Sequence, residues 1–251
     1  MPAQYRVSLL CALALAAVAA VPAQAEERIL SFDSRIIVSP DMSLDVTETI
    51  AINVEGTNIK RGIVKDLPAA PKAKGAHAGG LSVKVLDVTR DGVKEPFRIE
   101  PGQAATQLRI GKADVLLPAK ATTYVIHYRV TRPNGSPDKF NELQWDVTGN
   151  SWALPIDAAF VTVDLPKGSQ IVQSSAILRL AEGKTQRLQA ATSEGAQFTA
   201  HSDAPLMPGT HFSVLVEWPK GLTVEGGGTM AQFAPLQWTT KRKHFGSLQL
   251  Q

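Results

Sequence analysis

The chain has one cysteine, Cys11, so no intrachain disulfide can form. That residue sits inside an amino-terminal apolar run, and beyond it there is no thiol for redox chemistry, nucleophilic attack or metal ligation. Aromatic residues are scarce, at 6% of 251. An excess of either charge is missing as well. Lys and Arg number 26 against 23 Asp and Glu, and the net charge of +3 is spread along the chain. Nucleic-acid binding needs a concentrated basic footprint, so that class is set aside. Long apolar runs are absent too: the longest, Val7 to Val21, falls short of the roughly 20 residues that cross a bilayer as a helix.

Signatures of catalysis are lacking. The five histidines, His77, His127, His201, His211 and His244, form no HxH, HxxxH or HExxH spacing that would aim two imidazoles at one metal. There is no Gly-x-Ser-x-Gly elbow and no glycine-rich loop ahead of a helix. The expectation is a chain that is not an enzyme and holds no metal or cofactor.

What is present begins with a leader. Arg6, the run from Val7 to Val21, and Pro22-Ala23-Gln24-Ala25 supply the basic, apolar and Ala-x-Ala parts of a secretory signal peptide, with cleavage after Ala25. Leu10 is too bulky for the position before a lipid-modified Cys11. The chain is therefore expected to be exported, to the periplasm or the outer side of a membrane. A domain of about 200 residues buries enough surface to dispense with disulfides there.

From Glu26 onward the hydrophobic pattern has a period of two, the signature of strands. Leu44, Val46, Glu48, Ile50, Ile52 and Val54 share one face, while Asp45, Thr47, Thr49, Ala51 and Asn53 share the other. Similar alternation appears near Leu81–Val85, Tyr124–Val130, Leu143–Val147, Ala159–Leu165 and Phe212–Trp218. Shorter candidates are 29–38, 97–99, 108–110, 171–180 and 198–200. Turn residues such as Arg90-Asp91-Gly92, Pro133-Asn134-Gly135 and Pro208-Gly209 separate the runs. The pattern predicts an all-β, antiparallel β-sandwich, immunoglobulin-like in general architecture, over residues 26–222. It leaves open one sandwich or two stacked ones divided near 132–139. Pro68 to Gly80 reads as a long surface loop, and residues 223–251 as a Gly-rich linker and basic tail.

Two constellations stand out. Glu48 falls on the apolar face of its strand, where an isolated carboxylate is costly, so it needs a partner. Lys65 or Arg61 in the following segment fits, in a structural ion pair. The second is the stretch from Leu143 to Ile156, where Trp145 and Trp152 flank a Gly149-Asn150 turn. Large rings at a corner are usually packed inward. The competing reading makes Trp145, Asn150 and Trp152 a ligand platform, with Glu142 and Asp146 as candidate paired acids of a sugar-cleaving site.

Taken in order, several segments resemble one family: Ile29-Leu30-Ser31-Phe32-Asp33-Ser34, Asp41 to Glu48, Arg61-Gly62-Ile63-Val64-Lys65-Asp66-Leu67-Pro68, Thr123 to Tyr128, Trp145 to Trp152, Phe160 to Pro166, and Trp218-Pro219-Lys220-Gly221. Over about residues 28–222 the chain resembles the YciQ-type predicted membrane proteins that carry the domain of unknown function 2207. The resemblance implies an extracytoplasmic β domain, normally followed by membrane helices, with no established activity and no catalytic residue to carry over. Val64-Lys65 stands where the family usually has an aromatic residue and an arginine, so the partner of Glu48 becomes a lysine point charge rather than a bidentate fork. Met230 to Gln251 stands where membrane spans are expected and contains none, which reads as a truncated member. Lys241, Arg242 and Lys243 there are expected to touch anionic lipid weakly.

These readings give an exported, non-enzymatic β-sandwich interaction domain of a membrane-anchored envelope protein, with an envelope protein or glycan as partner. The alternative is a periplasmic carbohydrate-binding or hydrolytic module working at Trp145 and Trp152.

Overall fold

The computed structural model describes residues 26–68, 81–102, 105–131, 140–149, 152–189 and 191–220. The leader with Ala25, most of the 68–80 loop, the 132–139 segment, Asn150, and the tail with Lys241, Arg242 and Lys243 lie outside the described residues.

The described chain is all β, with strands β1 (Arg28–Val38), β2 (Leu44–Val54), β3 (Ile63–Asp66), β4 (Ser82–Arg90), β5 (Val93–Lys94), β6 (Phe97–Pro101), β7 (Thr106–Ile110), β8 (Lys120–Thr131), β9 (Phe140–Asp146), β10 (Ala159–Asp164), β11 (Gln173–Arg179), β12 (Thr185–Arg187), β13 (Ala191–Glu194), β14 (Gln197–His201) and β15 (His211–Pro219). They form an eight-stranded sheet in the order β13-β14-β10-β1-β2-β8-β4-β5, a four-stranded sheet β12-β11-β15-β9 and a three-stranded sheet β3-β7-β6. Every pairing is antiparallel except β1 with β10. That parallel pair joins chain from before and after residues 132–139, so both halves build the large sheet.

The period-two pattern does its work at the centre of that sheet. Phe32 on β1, Ile50 on β2 and Tyr124 on β8 stand side by side in register, as do Ile36, Val46 and Tyr128. All six side chains are buried. The intervening residues, among them Thr47, Thr49 and Val125, face the other way and are only partly covered. The inner faces of all three sheets feed one apolar cluster that includes Phe32, Leu108, Trp145, Val214 and Trp218. Each fully buried side chain of this size contributes roughly 1.5–3 kcal/mol.

The strands called from the sequence are found, β2 with the same limits. Four short ones, β3, β5, β12 and β13, carry too little alternation to be read from sequence; β3 is only Ile63-Val64-Lys65-Asp66. The Asp91-Gly92 turn between β4 and β5 has positive φ at both residues, 51° and 79°, the two-residue hairpin geometry that matches strand twist. Backbone N–H of Thr123 and the Lys120 ammonium both bond the Asp91 carboxylate, and they hold its pKa below the usual value.

One backbone crossing positions the three-stranded sheet. Gly62 (φ 144°) and Gly111 (φ 114°) pass so close that a Cβ on Gly62 would lie 1.8 Å from the carbonyl oxygen of Ile110, and one on Gly111 would lie 2.1 Å from that of Arg61. Only glycine permits both the dihedral and the approach. Gly62→Ala and Gly111→Ala are each expected to lower stability by about 2–4 kcal/mol, seen as a shift in urea midpoint. Gly56→Ala, with φ 78° but nothing within 4 Å of the added carbon, should cost only about 1–2 kcal/mol.

Candidate functional site

The most polar part of the interior lies where the three-stranded sheet meets the large one. Alternation along β2 turns Glu48 inward, and alternation along β3 turns Ile63 and Lys65 to one face. The Lys65 ammonium lies 3.2 Å from Glu48 Oε1, with Lys65 4% and Glu48 1% exposed. Tyr128 on β8 donates its hydroxyl to the same oxygen at 2.7 Å. Burial and the adjacent Glu48 charge push the Tyr128 pKa well above its ordinary value, so the phenol stays a donor at any physiological pH. Lys65 also reaches the carbonyl of Asp66 at 3.4 Å. Glu48 Oε2 and the hydroxyl of Ser34, which is opposite Glu48 in the β1–β2 register, are buried with no hydrogen-bond partner among the described residues.

The two constellations singled out from the sequence prove to be connected. The Lys65 ammonium lies 5.9 Å from the ring centroid of Phe32, and Phe32 meets Trp152 edge to face with centroids 6.2 Å apart. Trp152 in turn donates its indole N–H to the carbonyl of Thr148 at 2.8 Å. A continuous path of contacts therefore runs from Glu48 to the tryptophan corner. Of the two candidates for the partner of Glu48, the structure selects Lys65; Arg61 lies elsewhere, on the rim of a cleft described below.

Trp145 takes no part in that path. It points inward from β9, is buried, and leaves its indole N–H without a partner among the described residues. Glu142 and Asp146 alternate to the opposite, exposed face of β9, so the strand itself separates the acids from the ring of Trp145. Glu142 instead faces Glu217 across the β9–β15 pair, and burial together with the Glu142 charge raises the Glu217 pKa. Asp146 caps the Gly149 N–H at 3.1 Å and lies 3.4 Å from His211 Nδ1. The crevice beside Trp152, lined by Leu154, Leu206 and Pro208 among others, has room for about 10 Å³, the space of one water and not of a sugar ring. His127 lies on the outer face, 2.7 Å from Asp45, which also takes Arg129 at 3.3 Å. Among the described residues no group of His, Cys, Asp and Glu is placed to hold a metal.

Glu27 went unnoticed in the sequence. Its buried carboxylate accepts backbone N–H groups from Glu55 (3.1 Å), Thr57 (3.0 Å), Asn58 (2.5 Å) and Ile59 (3.2 Å), which fastens the loop leading to β3. Burial works to raise its pKa, but these hydrogen bonds outweigh it and the net shift is downward. Nothing in a Glu-Glu dipeptide signals this, because the partners are main-chain groups about 30 residues away.

With the geometry in hand, comparison with known proteins decides the family. Residues 28–210 match the N-terminal domain of the predicted membrane proteins designated DUF2207. The chain belongs to this family. The uncharacterised protein YciQ of Escherichia coli strain K12 is 32% identical over 131 residues, which is 52% of this chain and 21% of that protein. The match thus spans about a fifth of that relative's length. No helix among the described residues is long and apolar enough to cross a membrane. Looser likenesses exist to solved structures: yeast LTA4 hydrolase with bestatin (TM-score 0.45, 10% identity, 76% of this chain and 28% of that one) and the M1 zinc metallopeptidase of Deinococcus radiodurans (TM-score 0.43, 13% identity, 77% and 43%). Similarity at that level bears on neither mechanism nor ligand.

Two predictions follow from the buried carboxylates. Glu48→Gln and Lys65→Met should each lower the melting temperature, and the double variant should cost less than their sum; strict additivity would mean that the two groups do not interact. For Glu27, the folded pKa lies below the reference value of 4.5, so its contribution is present above that pH and is lost as pH falls through the folded pKa. Glu27→Gln should be about 1–3 kcal/mol less stable than wild type at pH 7, and the gap should narrow steadily below pH 4.5 in a series of thermal melts.

Proposed function

We propose that the chain is the non-enzymatic, exported interaction module of a membrane-anchored envelope protein. One observation carries this reading: the buried charged groups are engaged inside the protein, while a run of neighbouring segments carries several exposed large apolar side chains. Glu48, Lys65 and Tyr128 are bonded to one another inside the core, where no substrate reaches them. Of the eleven exposed large apolar residues among the described ones, five, Val93, Phe97, Ile99, Val115 and Leu116, come from β5, β6 and the loop after β7, while the others are spread over β1, β4, β10 and two loops. Grouped exposure of that kind marks a surface that meets a partner. The leader read from residues 1–25 supports a partner outside the cytoplasm, and membership of a predicted membrane-protein family is in keeping with an anchored parent protein.

The tryptophan corner then serves as packing. Trp152→Ala should lower stability by about 3–5 kcal/mol in denaturant melts and leave no glycan-binding phenotype to lose. Unchanged stability together with lost retention on envelope glycans would overturn the reading in favour of a carbohydrate module. The interaction surface itself is tested by placing a photoreactive residue at Ile99 or, as a control, at Thr47 on the outer face of the large sheet. Crosslinks to envelope components in living cells are expected from Ile99 and not from Thr47. Equal yields from both, or none from either, would contradict it.

A further inference from the structure

We propose that the cleft beside this apolar group binds the phosphate of an anionic phospholipid and seats the domain on a bilayer surface. The inference rests on the interaction-module reading and names the partner of that surface.

The cleft has a volume of about 220 Å³, and Arg61, Arg90, Lys94 and Lys112 line it together with a single acid, Glu95. Glu95 is engaged, 2.9 Å from Arg90 Nε. Of the neighbouring carboxylates, Asp91 pairs with Lys120 at 2.9 Å and Asp87 loosely with Lys94 at 3.9 Å, and Asp114 does not line the cleft. Arg61 and Lys112 form no salt bridge among the described residues. Their proximity is imposed by the backbone, because the crossing of Gly62 and Gly111 brings the Arg61 main chain against the residue that precedes Lys112. Three loops close around the crossing through main-chain hydrogen bonds: Leu117 N–H to Lys60 O at 2.8 Å, Gly111 N–H to Pro96 O at 2.9 Å, and Glu95 N–H to Val88 O at 2.9 Å. Two cations on one cleft, neither in a salt bridge among the described residues, repel each other, and an anion between them lowers that cost.

The rim identifies the source of the anion. Val93, 70% exposed, and Val115 line the cleft, and Leu116, 65% exposed, is adjacent on the same loop. A site for a dissolved phosphate ester has no use for apolar side chains at its mouth. A headgroup site does, because the cations meet the phosphate while the valines and leucine enter the boundary between headgroups and acyl chains.

The test is flotation of the full chain with vesicles of phosphatidylcholine, alone or with about 30% phosphatidylglycerol. All samples carry Lys241→Ser, Arg242→Ser and Lys243→Ser, so that the basic tail does not contribute. Binding is expected on the anionic vesicles only, and it should weaken as salt rises. Arg61→Gln with Lys112→Gln should weaken it about 30-fold, at about 1 kcal/mol for each basic residue near the surface. Val93→Ser with Leu116→Ser should weaken it as well. Arg179→Gln with Lys184→Gln, on the four-stranded sheet, should bind as the parent does, and melting curves confirm that each variant is folded. Parent-like binding by the Arg61/Lys112 variant overturns the proposal, as does equal binding to uncharged vesicles. If glycerol phosphate is bound but the parent does not float with the anionic vesicles, the cleft is a site for a soluble anion and the membrane seat is wrong. Loss of vesicle binding with persistent protein crosslinks from Ile99 would remove this inference and leave the interaction module standing.

Discussion

A lysine and a glutamate sit where an all-apolar packing would be cheaper, and the rest of the architecture is arranged around them. Removing an ion from water costs several kcal/mol, and only close approach to an opposite charge with further hydrogen bonds recovers it. Glu48 has both, from Lys65 and Tyr128, and these three residues come from β2, β3 and β8. β3 is four residues long and its sheet has three strands, so apolar area alone fixes its position weakly. A charge pair tolerates no slip of register, because moving β3 by one residue would turn Lys65 away and leave Glu48 alone in the core. The pair thus specifies where the small sheet sits more than it adds net stability.

That placement has consequences at the surface. With β3 held by Lys65, the preceding residues Arg61 and Gly62 are pressed against Ile110 and Gly111, and the loops on either side close around the crossing. Glu27 fastens the approach to β3 from the other side through the N–H groups of Glu55, Thr57, Asn58 and Ile59. The interior clamp and the exposed cationic cleft are therefore two ends of one short segment.

Much of this was readable before any coordinates. The strict alternation from Leu44 to Val54 gave both the limits of β2 and the inward direction of Glu48, because a period of two leaves a strand no freedom about which residues are buried. The need of a buried carboxylate for a cation narrowed the partner to Lys65 or Arg61. What sequence could not supply was distance through space. Trp145 and Trp152 looked like one feature because they are close in the chain, yet one is buried behind β9 and the other packs on Phe32 of β1. Glu27 was silent because main-chain N–H groups leave no trace in sequence. The cleft was silent for a related reason: Arg61, Arg90, Lys94 and Lys112 lie up to some 50 positions apart, and the segments of the first and last meet through two glycines whose dihedral angles the sequence does not announce.

Amide hydrogen exchange on Lys65→Met is the most direct examination of the clamp, because methionine keeps an unbranched side chain of nearly the same length and removes the ammonium group. With the pair broken, the N–H groups of β3 and β7 should lose protection by at least tenfold relative to those at the centre of β1, β2 and β8. Uniform loss across all three sheets, or unchanged protection at β3, would contradict the assignment of Glu48 and Lys65 as the interaction that holds the small sheet in place.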